Sequence, residues 1–124
     1  MRLLLDSHIV LWWLTDDETL SDELKGYIDD EPEVYVSAVT IWEFAIKQAY
    51  GKIVEPQALP ELIMDNWFRM LPVRPDHSIA AARLPHLHRD PFDRMLVAQA
   101  GGEELTLVTR DADILRYDVA LLKA

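Results

Sequence analysis

Two aspartates three residues apart, Asp90 and Asp93, head the stretch RDPFDRMLVAQA at residues 89–100. One acid is enough to start a helix there. The Asp90 carboxylate can accept from first-turn amides, and Pro91 suits the first helical position because the N–H it lacks would be unpaired anyway. Asp93, at the third helical position, could complete a capping box and meet the positive end of the helix dipole. At about 100° per residue, however, Asp93 shares a face with Leu96, Val97 and Ala100, the stripe that should turn to the core, whereas Arg94 points away from it. A carboxylate aimed inward needs partners, because left alone it costs several kcal/mol or takes up a proton.

The stretch SAVTIWEFAIKQAY (37–50) sets the same problem. Glu43 lies among Val39, Ile46 and Tyr50 on a helix that is apolar nearly all round. Thr40 and Glu43 match a T-x-x-E capping box, but Ser37 competes as the cap, and if Ser37 caps, Glu43 is too deep to cap anything. Asp6 and Asp111 each follow an apolar run, RLLL (2–5) and LTLVT (105–109). Either could cap the next helix. Together, two carboxylates at strand ends and two on inward helical faces, Asp6, Glu43, Asp93 and Asp111, can converge on one point. Asp113 is a possible substitute for Asp111. An oxygen-only, strongly negative site suits a hard cation, Mg²⁺ or Mn²⁺, and the chemistry such a site supports is hydrolysis of phosphodiesters. No Ser/His/Asp order, glycine-rich phosphate loop or CxxC points elsewhere. His86, His88 and Asp90 hint at zinc but lack a fourth well-spaced ligand.

The elements that must position these residues follow from pattern. RLLL reads as a buried strand running into a helix at 8–14, and SDELKGYIDD (21–30) as a Ser-capped helix with an acidic first turn. EVYVS (33–37) has strand composition, and the helix to Tyr50 follows. Pro56 and Pro60 bracket a loop before a predicted helix at 61–71, with LPVRP as a short strand or extended link. Helices follow at 76–84 and from Asp90 to a stop at Gly101-Gly102, then strands at 105–109 and 119–122. Strands alternating with helices predict a parallel α/β sandwich whose working residues collect beyond the carboxyl ends of the strands.

At 124 residues, 50% hydrophobic and 27% charged, the chain fits one domain, 1–124. Having no cysteine, it has no disulfide or thiolate metal site, which favours a cytoplasmic setting. The opening MRLLLDSHIVLWWL is interrupted by Asp6 and His8 and lacks a cleavage site, and no stretch approaches the ~20 apolar residues of a membrane span; a soluble, unprocessed protein is expected. A net charge of −10 repels phosphate backbones unless the basic residues are gathered in one place.

Four segments, LLLDSH, SAVTIWEFAIK, HRDPFDRMLVAQA and LVTRDADI, resemble in order and spacing those of PIN-domain ribonucleases of the VapC toxin type, across nearly the whole chain. The resemblance implies a PIN-like doubly wound parallel sheet flanked by helices, a Mg²⁺- or Mn²⁺-dependent endoribonuclease acting on RNA, a homodimer, and a cognate VapB-type antitoxin. It implies Asp6 and Asp93 as direct metal ligands, with Glu43 and Asp111 holding water of the ion's shell or a second ion. Ser7 and Thr109 would assist through their hydroxyls, though each is equally explained as a cap or strand residue.

Two other readings compete. A receiver-type phosphoacceptor domain shares length, fold class and an acidic Mg²⁺ site, but needs paired acids after the first strand, a lone aspartate after a middle strand and a late lysine. Here Asp6 is followed by Ser7, the second strand ends in Ser37, and LVTRD has no lysine. The alternative from another class is a non-catalytic binding module using its acidic face. Arg89, Arg94, Arg110 and Lys47 are either positive charge gathered beside the site or ordinary surface charges. Trp12 and Trp13 point about 100° apart, so one is expected at an interface, while Trp42 and Trp67 are expected in the core.

Overall fold

The computed structural model describes residues 1–124. Five parallel strands, β1 (Arg2–Leu5), β2 (Glu33–Ser37), β3 (Arg69–Leu71), β4 (Thr106–Thr109) and β5 (Leu121–Lys123), form one sheet in the order β3-β2-β1-β4-β5. The helices are α1 (Ser7–Leu14), α2 (Asp22–Asp30), α3 (Ala38–Ala49), α4 (Leu59–Met64), α5 (Pro75–Ala82) and α6 (Pro91–Gly102), with a 3₁₀ turn at Ile114–Arg116. The chain winds outwards from β1 to β3, then crosses by α5 and α6 to β4 on the other side of β1. The expected doubly wound sheet is therefore present, with its switch point between β1 and β4.

Alternation along β1 explains why both faces are covered. Leu3 and Leu5 enter a core with Ile9, Val10, Ile28, Phe44 and Ile63, while Leu4 enters another with Leu96, Val97, Ala100 and Ile114. All three leucines are fully buried.

Several expected elements shift. The helix at 61–71 is instead α4, begun two residues earlier and ended at Met64, followed by β3 at Arg69–Leu71 rather than at LPVRP. Asn66 donates to the Leu62 carbonyl, and Arg69–Leu71 pair with Tyr35–Ser37. Ladder pairing overrides helix propensity here, and Pro72, without an N–H, ends the strand. The last strand sits at 121–123, not 119–122. The left-handed residue beyond α6 is Glu104, with φ 55°, rather than a glycine.

Trp42 and Trp67, expected in the core, are 61% and 46% exposed. Trp42 packs edge-on against Phe92 and Trp67 against Trp13. Each covers the rim of the core with one side of its ring, as large amphipathic aromatics do.

Candidate active site

Asp6 stands at the carboxyl end of β1, in the N-cap position of α1, yet its side chain caps nothing. Its Oδ2 instead accepts from Thr109 Oγ1 at 2.8 Å, across the switch point at the end of β4. Only 2% exposed, its carboxyl is pushed up by burial, with the Thr109 hydrogen bond opposing.

Glu43 is also buried. The competition for the α3 cap is won by Ser37, whose hydroxyl accepts from the Val39 N–H at 3.0 Å. Glu43 therefore lies in the second turn and caps nothing. Its Oε1 accepts from Ser7 Oγ at 2.7 Å and its Oε2 from Lys47 Nζ at 2.9 Å.

On α6, the Asp90 carboxylate accepts from the N–H groups of Phe92 and Asp93, so Asp90 is the cap. Asp93 makes no capping bond and meets His88 Nε2 at 3.3 Å. Its carboxyl is pushed up to about 8, first by burial and then by repulsion from Asp90, Asp6, Asp111 and Glu43. The acids that repel the second aspartate thus come from its own helix cap, from the ends of β1 and β4, and from α3.

Asp111 has two roles. Its Oδ1 accepts from the N–H groups of Asp113 at 2.8 Å and Ile114 at 3.3 Å, starting the 3₁₀ turn. Its carboxylate also lines a cleft of about 190 Å³ with Asp6, His8, Trp12 and Arg110. Asp113 is exposed and lies 3.5 Å from Arg116 Nη1. A larger groove, about 670 Å³, lies beside α2 and the end of β5 and includes none of the four carboxylates.

The expectation that Arg94 points away from the core is corrected: it is 9% exposed. Nη1 donates to the carbonyls of Pro85 and His88 and to the Tyr117 hydroxyl, and Nη2 to the carbonyls of Ala81 and Leu84. The wheel of α6 alone omits the loop between α5 and α6, which folds over the helix and brings main-chain oxygens that need donors. Pro85 in that loop, with Pro91 opening the helix after it, was the available signal: irregular backbone packed on a helix asks for a planar, many-donor side chain. Tyr117 and His88 were also missed as a pair. Arginine only donates, so the Tyr117 oxygen accepts from Arg94, and the hydroxyl hydrogen is directed to His88 Nδ1 at 2.8 Å. In the neutral ring whose Nδ1 accepts that hydrogen, the proton is on Nε2, facing Asp93.

No group of three or more His, Cys, Asp or Glu side chains closes tightly enough to enclose a metal ion, so neither the zinc trio at 86–90 nor a finished carboxylate cage is formed. The donor chemistry nevertheless fits a hard cation: the acids offer oxygen only, and their crowding on Asp93 is the condition that a nearby positive charge relieves.

Comparison with known proteins extends this picture. A family profile described as PIN domain matches residues 3–120. Ribonuclease VapC22 of Mycobacterium tuberculosis is 30% identical over 117 residues, covering 88% of this chain and 86% of that protein. Among solved structures, DNA-bound VapBC from Salmonella typhimurium superposes with a TM-score of 0.72 at 12% identity, covering 99% of this chain and 98% of that one. VapBC2 from Rickettsia felis, bound to a DNA fragment from its promoter, gives 0.75 at 14% identity with the same coverage. FitAB bound to a DNA fragment gives 0.68 at 20%, covering 98% and 94%. At these identities the structural likeness is one of fold.

Proposed function

The chain belongs to the PIN domain family, and from that footing we propose that it is a Mg²⁺- or Mn²⁺-dependent endoribonuclease, the toxin of a VapBC-type pair. The observation that carries the reading is the placement of Asp6, Glu43 and Asp111 about the half-buried Asp93, whose carboxyl is pushed up first by burial and then by repulsion from Asp90 and these three acids. Burial and the neighbouring acids together push the Asp93 carboxyl up to about 8, and a cation or a proton relieves both. The similarity to VapC22, a ribonuclease, supports RNA as the substrate.

Asp6 and Asp93 would hold the ion, with Glu43 and Asp111 beside them. Bound there, it would supply charge neutralisation, activation of an attacking water and stabilisation of the leaving oxygen. The chain's own groups set the orientation. Thr109 holds Asp6 by Oδ2, and Ser7 and Lys47 hold both oxygens of Glu43. Lys47 also partly balances the negative charge that an RNA phosphate must approach. The His88 Nε2–H steadies one oxygen of Asp93. The proposal includes a VapB-type antitoxin, consistent with the VapBC complexes among the structural neighbours, and a homodimer in the cytoplasm. No helix is long and apolar enough to cross a membrane.

The test is cleavage of a mixed total-RNA substrate by purified protein with Mg²⁺ or Mn²⁺, with chelator, and by Asp93→Asn checked for retained fold. Discrete cuts that need the metal and vanish in the variant are expected. Wild type and folded variant behaving alike would instead favour a PIN-fold binding module without catalysis.

A further inference from the structure

Next to the carboxylates, one corner of the molecule gathers groups for which the proposed hydrolysis has no role. In the cleft of about 190 Å³, His8, Trp12 and Arg110 stand with Asp6 and Asp111. The His8 ring lies 5.8 Å from that of Trp12, tilted by 35°, and the Arg110 guanidinium carbon stands 5.1 Å from the Trp12 ring centroid. His8 and Arg110 are exposed and Trp12 is half-buried.

Arg110 is held in an informative way. Nε donates to the main-chain oxygen of Ala124 at 3.2 Å and Nη2 to that of Thr19 at 2.8 Å, which fixes the guanidinium over the indole. Neither acid of the cleft pairs with it, and Nη1 has no partner. A cation locked against an aromatic face, with a donor unspent, is a preorganised contact for an anion flanked by a flat ring. The volume, that of about six waters, is well below the roughly 300 Å³ at which drug-sized pockets begin. The open cleft has room for a single flat ring with its attached phosphate at the rim, not for a folded element of a partner.

We propose that this cleft is a nucleotide subsite: it takes one unpaired nucleotide of a single-stranded RNA, its base against the His8–Trp12–Arg110 group and its phosphate at Arg110 Nη1. Stacking needs a base free of its helix, so the subsite selects single strands over duplex. It also provides the local positive charge that a chain of net charge −10 requires to hold RNA beside its acids. A basic peptide would meet Asp6 and Asp111 favourably but would face Arg110 with like charge, which is why a nucleotide is the better occupant. The inference rests on the ribonuclease reading and names the form of its substrate.

The test measures binding separately from cleavage. In an Asp93→Asn background, affinity for a short fluorescein-labelled single-stranded RNA is followed by anisotropy for the parent, Trp12→Ala, Trp12→Phe, His8→Ala and Arg110→Ala, with the same sequence as a duplex for comparison. Trp12→Ala is expected to weaken binding about tenfold, with Trp12→Phe recovering most of it. The exposed His8→Ala, which cannot disturb the core, is expected to weaken it by a smaller factor, and Arg110→Ala to flatten the salt dependence. Duplex is expected to bind more weakly than single strand. Unchanged RNA affinity in both His8→Ala and Trp12→Ala would overturn the subsite, including the outcome in which those variants lose affinity for a basic peptide instead. A wild-type protein that binds single strands through the cleft without cutting them would keep the subsite and remove the nuclease; cutting by wild type with unaltered binding in the variants would do the reverse.

Discussion

Arg94 Nη1 donates to the Tyr117 hydroxyl over 3.1 Å, tying the first turns of α6 to the residue that closes the 3₁₀ turn, 23 positions along the chain. Through that oxygen a guanidinium that touches no carboxylate influences the ring facing Asp93.

Tyr117→Phe removes the hydrogen directed at His88 Nδ1 and leaves the packing of the ring in place. His88 then loses its preference for the Nε2–H tautomer. We expect the ¹⁵N shifts of His88 to move from those of a single tautomer to those of a mixture, with a fall in cleavage rate and little change in melting temperature. An unaltered tautomer would show that Asp93, rather than Tyr117, sets the ring's proton.

Arg94→Met deletes the donor to four main-chain oxygens, one in α5 and three in the loop that follows it. At about 1 kcal/mol per bond, softened by relaxation, a loss of about 3 kcal/mol is expected. Arg94→Lys should recover only part of it, because an ammonium cannot reproduce the planar fork. The check is the urea midpoint at constant m-value.

Asp90 and Asp93 should respond in opposite senses. Asp90→Ala loses the α6 cap and is expected to cost about 1 kcal/mol, while Asp90→Asn, which still caps, should cost little. Asp93→Asn removes a repelled, half-buried carboxyl without removing a cap, so at alkaline pH it should raise the melting temperature. Equal destabilisation by Asp90→Ala and Asp93→Asn would mean that both act as caps.

The pH dependence of stability follows from Asp93. The folded protein keeps the Asp93 proton up to about pH 8, whereas the unfolded chain loses it in the ordinary carboxyl range. Between those limits the folded state binds more protons, so metal-free protein loses stability as pH rises through the window and levels off above it. Asp6, raised by burial, adds a slope of the same sign. Melting scans in chelator should show the decline, and Asp93→Asn should show a shallower one. Added Mn²⁺ or Mg²⁺ should stabilise most at the alkaline end, where the carboxylates are ionised.

Much of this arrangement was legible before any coordinates. The apolar runs ending in Asp6 and at Thr109 have only one place to go in a parallel sheet, and the inward faces of Glu43 and Asp93 follow from helical spacing alone. What stayed hidden depends on contacts between distant segments. Arg94 was misplaced because its partners are carbonyls of a loop, which carry no sequence label. The strand at 69–71 has no local signature that separates it from the helix before it, because its ladder partner, Tyr35–Ser37, is remote in the chain. Trp42 and Trp67 show the limit of composition: a large ring marks where apolar surface lies, not whether water reaches its other side.

The bond between Thr109 and Asp6 spans 103 residues, and β1 can take its central place in the sheet only when β4 arrives to flank it. In a growing chain, then, the first carboxylate has no partner until 103 further residues have been added, and Asp111 follows two residues after that. The proposed site therefore has no early, partly built form: its first and last carboxylates belong to segments that meet only once the sheet has closed around β1.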